Sequence, residues 1–425
     1  MTRAIPDFLS ARLTRPVAVL GAGVSGEGVT ALLAKLGGQS VVYDRKALEF
    51  TEAAARGHRL LVFSPGFPLR HPWLEIARKA GCLCMPEIDF ASLFWEGRVL
   101  AVTGTNGKTT LTEFLSYALS QAAVRACATG NIGYSFSRLV SDTGGGFPGF
   151  TAVCEVSSFQ AEQLGYFSAD ALIWTNFAED HLERHDGLEA YFNAKWELVT
   201  RTSTGHFFAG SSVQRFCAKF ERSLPEGARV ASELQPADPR ISGTVFEHYP
   251  QRENFILAEA WWRSEGLDEA TLLAAARTFH LGRHRLSNVA TLDGVTFWND
   301  SKATNFHAVE AALCGFREKV VLIAGGRSKG GDIAGFARRI APKVAHAVLI
   351  GETGPVLAAV FGDCAVPCVS CARMDDAVRA AASAAHAGGN VLLSPGFASF
   401  DMFRGYDDRG DCFERAVADL QALRV

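Results

Sequence analysis

Arg98-Val99-Leu100-Ala101-Val102-Thr103-Gly104-Thr105-Asn106-Gly107-Lys108-Thr109-Thr110 is the stretch on which the fold class turns. Its apolar run reads as a buried strand. A glycine-rich turn follows, then a segment that puts Leu111, Phe114, Leu115, Ala118 and Leu119 on one face of a helix. Strand, glycine turn and helix in that order form a phosphate loop. The glycines let backbone N–H groups curl around phosphate oxygens, and the helix N-terminus adds the positive end of its dipole. Lys108 is spaced to reach the outer phosphates, and the Thr109 hydroxyl to ligate Mg²⁺. The pattern points to a nucleoside triphosphate and leaves the reaction open.

Outward from this loop, apolar runs alternate with amphipathic stretches along nearly the whole chain. That alternation predicts an α/β protein with parallel sheets and crossover helices. At ~150 residues per domain, 425 residues suggest about three domains, and the breaks near 97 and 281 give blocks 1–97, 98–281 and 282–425. The first block opens with a strand at Val17–Leu20, the turn Gly21-Ala22-Gly23-Val24-Ser25-Gly26, a helix to about Leu36, and a strand at Ser40–Tyr43 with Asp44 at its end. By pattern alone this is a dinucleotide fingerprint, so a nicotinamide dehydrogenase is the rival reading. The same turn can hold any diphosphate, and a dehydrogenase has no need of a phosphate loop. The third block opens with a hairpin, Leu286–Leu292 and Val295–Trp298, around Asp293-Gly294. Strands at Val320–Ala324, Ala347–Ile350 and Val391–Leu393 follow. From His206 to Pro250 the pattern places no elements.

Composition narrows the class further. Apolar residues make up 48% and charged residues 20%, which suits a folded chain with more than one core. The 42 basic and 45 acidic side chains leave a net charge of −3, with no basic excess for general nucleic-acid binding. No apolar run has the length of a membrane span, and the N-terminus lacks the apolar core of a signal peptide. The expectation is a cytoplasmic protein with its ten cysteines as reduced thiols. Cys364, Cys368 and Cys371 have no Cys or His pair at zinc-finger spacing.

The loop Thr103-Gly104-Thr105-Asn106-Gly107-Lys108-Thr109-Thr110 resembles the ATP loop of the Mur ligases and their folylpolyglutamate synthetase relatives. Further segments add to the resemblance in order. They are Gly130-Asn131-Ile132-Gly133, Glu155-Val156-Ser157-Ser158-Phe159-Gln160, Asn176-Phe177-Ala178-Glu179-Asp180-His181-Leu182 and Tyr191-Phe192-Asn193-Ala194-Lys195. Then come His284-Arg285, Asn299-Asp300-Ser301-Lys302-Ala303-Thr304-Asn305, Gly325-Gly326-Arg327-Ser328-Lys329 and Leu393-Ser394-Pro395-Gly396-Phe397-Ala398-Ser399-Phe400-Asp401. The branch that adds D-glutamate is the most similar.

The resemblance implies three α/β domains. An N-terminal Rossmann-like domain would bind UDP-N-acetylmuramoyl-L-alanine. A central domain of P-loop ATPase type, with a parallel sheet, would bind ATP and metal, and a C-terminal Rossmann-like domain D-glutamate. A carboxylate would take the γ-phosphoryl group of ATP, and the amine would attack the acyl phosphate. Negative charge gathers at each step, so cations and N–H donors are needed. The implied catalytic residues are Lys108, Glu155, His181, Lys195 and Lys302. Thr109, Glu155, His181 and Lys195, the last as a carbamate formed with CO₂, would hold two Mg²⁺ ions. ATP would meet Gly104, Thr105, Asn106, Gly107, Lys108, Thr109, Thr110, Asn254, Arg285, Asp300 and Lys302. The UDP-substrate would meet Gly23, Val24, Ser25, Asp44, Arg45, Ser64, Pro65, Gly66, Asn131, Ser157 and His181; D-glutamate would meet Thr304, Lys329, Ser399 and Tyr406. The implied protein is a monomer.

On the residues alone, Lys195 reads as a solvated lysine on an amphipathic helix, whereas a carbamate needs a desolvated amine. Two departures stand out. Where the family often has Gly-x-His-Asn-x-x-Asn, this chain keeps Asn254 but has Glu253 and Leu257 for the His and the second Asn. After His284-Arg285 the usual Phe-Glu is Leu286-Ser287. A ligase for another amino acid and a nucleotide-binding relative without turnover are the readings left open.

Overall fold

The computed structural model describes residues 4–182, 184–231 and 237–422. The chain forms two compact units. One comprises Met1–Phe177, Glu189–Thr244 and Glu253–Phe279; the other comprises Ala178–Leu188, Val245–Arg252 and His280–Val425.

The first unit carries two sheets. Strands β1 (Val17–Leu20), β2 (Ser40–Tyr43), β3 (Leu60–Phe63) and β4 (Leu83–Pro86) pair in parallel in the order β2-β1-β3-β4. Strands β5 (Arg98–Thr103), β6 (Arg125–Gly130), β7 (Phe150–Glu155), β8 (Ala171–Trp174), β9 (Phe207–Ala209) and β10 (Arg229–Val230) form a second parallel sheet, ordered β10-β9-β8-β5-β7-β6. Central strands are apolar at consecutive positions because helices cover both faces. The helix Lys108–Gln121 buries all five residues of the predicted apolar face. Between His206 and Pro250, where the sequence placed nothing, lie β9, the helix Ser211–Lys219, β10 and a 3₁₀ turn at Pro239–Ile241. Strands of three and two residues are too short to show a period.

The helix Glu87–Ser92, after β4, ties the first sheet to the second through buried carboxylates. Glu87 Oε1 accepts a bond from Ser137 N at 2.6 Å; Asp89 accepts from Gly165 N at 2.6 Å and Phe167 N at 2.8 Å. Burial pushes Glu87 up to about 7 from its ordinary 4.5, against the pull of the Ser137 bonds. Its neutral form therefore lends stability that is full below pH 4.5 and lost as pH rises through 7. Glu87→Gln, neutral throughout, is expected to raise Tm by about 2–4 °C at pH 8 and to leave it unchanged near pH 4. Thermal melts at the two pH values check the sign; a lower Tm at pH 8 contradicts it.

The second unit holds β11 (Ser287–Leu292), β12 (Val295–Asn299), β13 (Val320–Gly325), β14 (Val344–Ile350), β15 (Cys368–Ser370) and β16 (Asn390–Leu393), ordered β11-β12-β16-β13-β14-β15. All pairs are parallel except the β11–β12 hairpin. Its two-residue turn has both Asp293 and Gly294 at positive φ, as the sequence led us to expect. Side chains alternate between two cores: Leu322, Ala324 and Leu349 face Phe336 and Phe361, while Val321, Ile323 and Val348 face Val378 and Phe413. Among the described residues, no helix is long and apolar enough to cross a membrane.

Candidate functional site

The phosphate loop leaves the carboxyl end of β5, in the middle of its sheet. Gly104 (φ +147°) and Gly107 (φ +82°) cannot be replaced cheaply: a Cβ would stand 1.9 Å from Thr175 Oγ1 at the first and 2.6 Å from Asn254 Oδ1 at the second. The loop is clamped from the end of β8. Thr175 Oγ1 donates to Asn106 O at 2.6 Å and Asn176 Nδ2 to the same oxygen at 3.1 Å. Asn176 accepts in return from Asn106 N at 2.9 Å and, through its carbonyl, from Thr105 N at 3.0 Å. Sequence reasoning assigned neither Thr175 nor Asn176 a role, although Asn176 opens a quoted motif. Asn176→Ala removes two of these bonds, and kcat/KM for ATP is expected to fall about 10–100-fold with the fold intact. Steady-state kinetics beside a thermal melt test this, and an unchanged kcat/KM for ATP contradicts it.

Lys108 Nζ donates to Gly104 O and Thr105 O, both at 2.9 Å, so its charge lies at the loop itself. Thr109 and a buried Thr110 follow in the first helical turn. Lys195 corrects the reading of the residues alone. It lies on the helix Leu188–Thr200 and is 1% exposed, with Nζ donating to Gly104 O at 2.9 Å and stacked over Tyr191 at 5.1 Å. Aromatic packing turns this face inward: Phe192 lies 5.0 Å from Trp174 and 5.1 Å from Phe177.

Glu155 ends β7 and is 2% exposed. Its Oε1 accepts weakly from Asn131 Nδ2 at 3.4 Å, while Oε2 is buried with no hydrogen-bond partner among the described residues. A buried carboxylate oxygen left in this state calls for a cation. The hard oxygens of Glu155 and Thr109 fit Mg²⁺. Ser157 caps the next helix in a capping box with Gln160, which engages its hydroxyl.

In the first sheet, Gly23 caps the helix Val24–Lys35, and Val24 is half exposed. Asp44 accepts from Lys46 N at 3.0 Å and Ala22 N at 3.2 Å, and these two bonds hold its carboxyl below the usual range. Ser64, Pro65 and Gly66 follow β3, with Ser64 Oγ 2.8 Å from where a Gly21 Cβ would be. Arg45 meets His71 Nε2 at 3.0 Å.

The remaining predicted residues lie in the second unit. A cleft there is lined by Asp180, His181, Thr304, Phe306, Lys329 and Phe397, among others. Lys329 Nζ donates to Asp180 Oδ1 at 2.8 Å, and Asn305 Nδ2 to Asp180 Oδ2 at 2.9 Å. Burial pushes Asp180 upward, but Lys329, His181 and Asn305 together outweigh it, and its pKa lies below the ordinary value. The quoted motif contains Asp180, yet only its neighbour His181 was singled out. His181 has φ +55° and places Nε2 3.6 Å from Asp180 Oδ2.

Asp300 faces inward. It accepts from Ser394 Oγ at 2.8 Å and Leu286 N at 3.2 Å, and burial pushes it up to about 7. Lys302 Nζ sits 3.7 Å above the Tyr406 ring, and Lys302 N donates to His284 O, the residue before Arg285. Ser399 is buried. Beneath them the fully buried Arg409, also unmarked by sequence, donates to Ser301 Oγ, Ser301 O and Phe397 O at 2.8–3.0 Å, tying the loops of Lys302 and Ser399 together.

Residues 102–222 match the family described as "Mur ligase middle domain", and residues 284–397 match "Mur ligase, glutamate ligase domain". The chain is 33% identical to a Methylobacillus flagellatus protein named UDP-N-acetylmuramoylalanine--D-glutamate ligase, over 97% of this chain and 98% of that one. The chain belongs to the Mur ligase family. A Frankia casuarinae protein of the same name is 36% identical over 95% of this chain and 93% of its own. Solved Mur ligase structures share the fold. The UDP-N-acetylmuramate-alanine ligase MurC of Thermotoga maritima aligns with TM-score 0.62 at 16% identity, covering 96% of this chain and 99% of that one. MurF ligase from the same organism, in complex with ADP, gives 0.56 at 14% identity, covering 87% and 97%. The Mur ligase fold has three domains.

Proposed function

We propose that this Mur ligase joins D-glutamate to UDP-N-acetylmuramoyl-L-alanine at the expense of ATP, as a step of peptidoglycan precursor synthesis. Blocks 1–97, 98–281 and 282–425 are assigned in that order to the UDP-substrate, to ATP with metal, and to the amino acid. The enzyme acts as a cytoplasmic monomer. The observation that carries this reading is the partnerless buried oxygen of Glu155 in the unit that also holds the clamped phosphate loop. The full-length relatives named for this reaction support the choice of substrates.

The loop N–H groups and Lys108 bind the β- and γ-phosphates and offset charge as the substrate carboxylate attacks the γ-phosphorus and ADP leaves. Thr109 and Glu155, with His181 and a carbamylated Lys195, would hold two Mg²⁺ ions, which supply charge neutralisation at the phosphates when bound. Arg285, Asp300 and Lys302 act on the nucleotide from the third domain, and Asn254 from behind the loop. Lys329 receives a carboxylate of D-glutamate, assisted by Thr304, Ser399 and Tyr406. Asp180, held anionic, orients the ammonium. The amine, once deprotonated, attacks the acyl carbon, phosphate leaves, and one proton goes to solvent.

Phosphate release from ATP is expected only when both the UDP-substrate and an amino acid are present. A panel of labelled amino acids tests the specificity; incorporation of L-alanine or a diamino acid in place of D-glutamate overturns it.

A further inference from the structure

His71 caps the helix Pro72–Lys79 through its ring, with Nδ1 accepting from Trp73 N at 3.1 Å. An imidazole nitrogen that accepts carries a lone pair, so the proton of the neutral ring must be on Nε2. Nε2 lies 3.0 Å from the guanidinium of Arg45, which has only donors. At least one of the two contacts therefore sets donor against donor in every protonation state of the ring. Burial, and then the charge of Arg45, hold the His71 pKa below its ordinary value, so the ring does not escape by becoming a cation. The ring itself cannot turn away easily. It is buried, edge-on to Phe67 at 4.8 Å and to Trp73 at 5.5 Å.

Two N–H groups that face each other are both satisfied when an acceptor comes between them, and an anionic oxygen satisfies both best. Arg45 is exposed at the end of β2 and can swing to admit it. The place is apt: outside the carboxyl ends of β2 and β3, on either side of the glycine turn that follows β1. We infer that His71 is a further substrate-binding residue, donating from Nε2, jointly with Arg45, to a diphosphate oxygen of the uridine-linked substrate. This rests on the assignment of the first domain to a UDP compound.

Serine at position 71 keeps an N-cap acceptor for Trp73 N but has no donor at the Nε2 position. With the full chain, His71→Ser is expected to raise KM for the UDP-substrate and the inhibition constant of UDP about tenfold. KM for ATP and D-glutamate, the inhibition constant of uridine and Tm should hold within about twofold or ~2 °C. His71→Asn, a second capping variant, should behave alike. Wild-type inhibition by UDP in either folded variant, or equal losses for UDP and uridine, overturns the inference while leaving the domain assignment standing. A wild-type chain that UDP does not inhibit overturns both.

Discussion

Lys108→Ala lowers kcat by about 10³-fold while leaving the thermal melt within ~2 °C of wild type. The asymmetry follows from where the ammonium lies. Lys108 Nζ is bound only 2.9 Å from two carbonyls of the loop, Gly104 O and Thr105 O, so it costs the fold little to lose it. The loop is held independently by Thr175, Asn176 and the packing of Asn254 against Gly107. The phosphoryl group in flight, by contrast, has charge that grows as the bond to ADP breaks, and a fixed cation at the loop stabilises that state more than bound ATP. Lys108→Met, of similar length and without charge, should lose as much as alanine, which separates charge from volume. Single-turnover kinetics give the number; a loss of less than tenfold would remove Lys108 from the chemistry.

The second large effect concerns Lys195. A lysine that is 1% exposed, with Nζ donating to Gly104 O, has been taken out of water beside the phosphate loop. The neutral amine is the form that adds CO₂, releasing one proton and leaving a carbamate anion. Lys195→Ala is then expected to cost about 10²–10³-fold in kcat, the order seen when one electrostatic element of a site is lost. Short carboxylic acids such as acetate or formate should restore part of the activity by placing an anion in the space left. Restoration by a carboxylate distinguishes a lost anion from a lost ammonium, which an added amine would replace. In ¹³CO₂-equilibrated wild-type protein a carbamate carbon signal should appear and vanish in the variant. Full activity of Lys195→Ala with and without added acids sinks the idea.

These two lysines also mark the border of what could be read from the chain. Lys108 was legible because its chemistry is local: a buried strand, glycines able to take positive φ and a helix start all lie within thirteen residues. The α/β class was legible for the same reason, since apolar runs and amphipathic stretches report burial residue by residue. The hairpin at Asp293-Gly294 was written in two turn residues. Lys195 was singled out by the family resemblance alone, and its burial was not legible. A single cation on an amphipathic helix carries no mark of which way it will face, and its inward turn was decided by Phe192 and Trp174 packing from different elements. Asp180 and Lys329, 149 positions apart, met only when two loops of the second unit folded together. Asn176 and Arg409 were hidden by type, because an amide or a guanidinium looks like any polar surface residue until its partners are known.

By itself, then, the sequence determined the phosphate loop, the parallel-sheet class and the order of the family's motifs, all of which depend on neighbours in the chain. The tertiary structure alone decided which polar side chains were stripped of water. That stripping left Glu155 with an unmatched oxygen, put Lys195 beside Gly104 and turned Asp300 inward against Ser394. The reason is physical: desolvation depends on every atom that closes around a group, and those atoms come from distant parts of the chain.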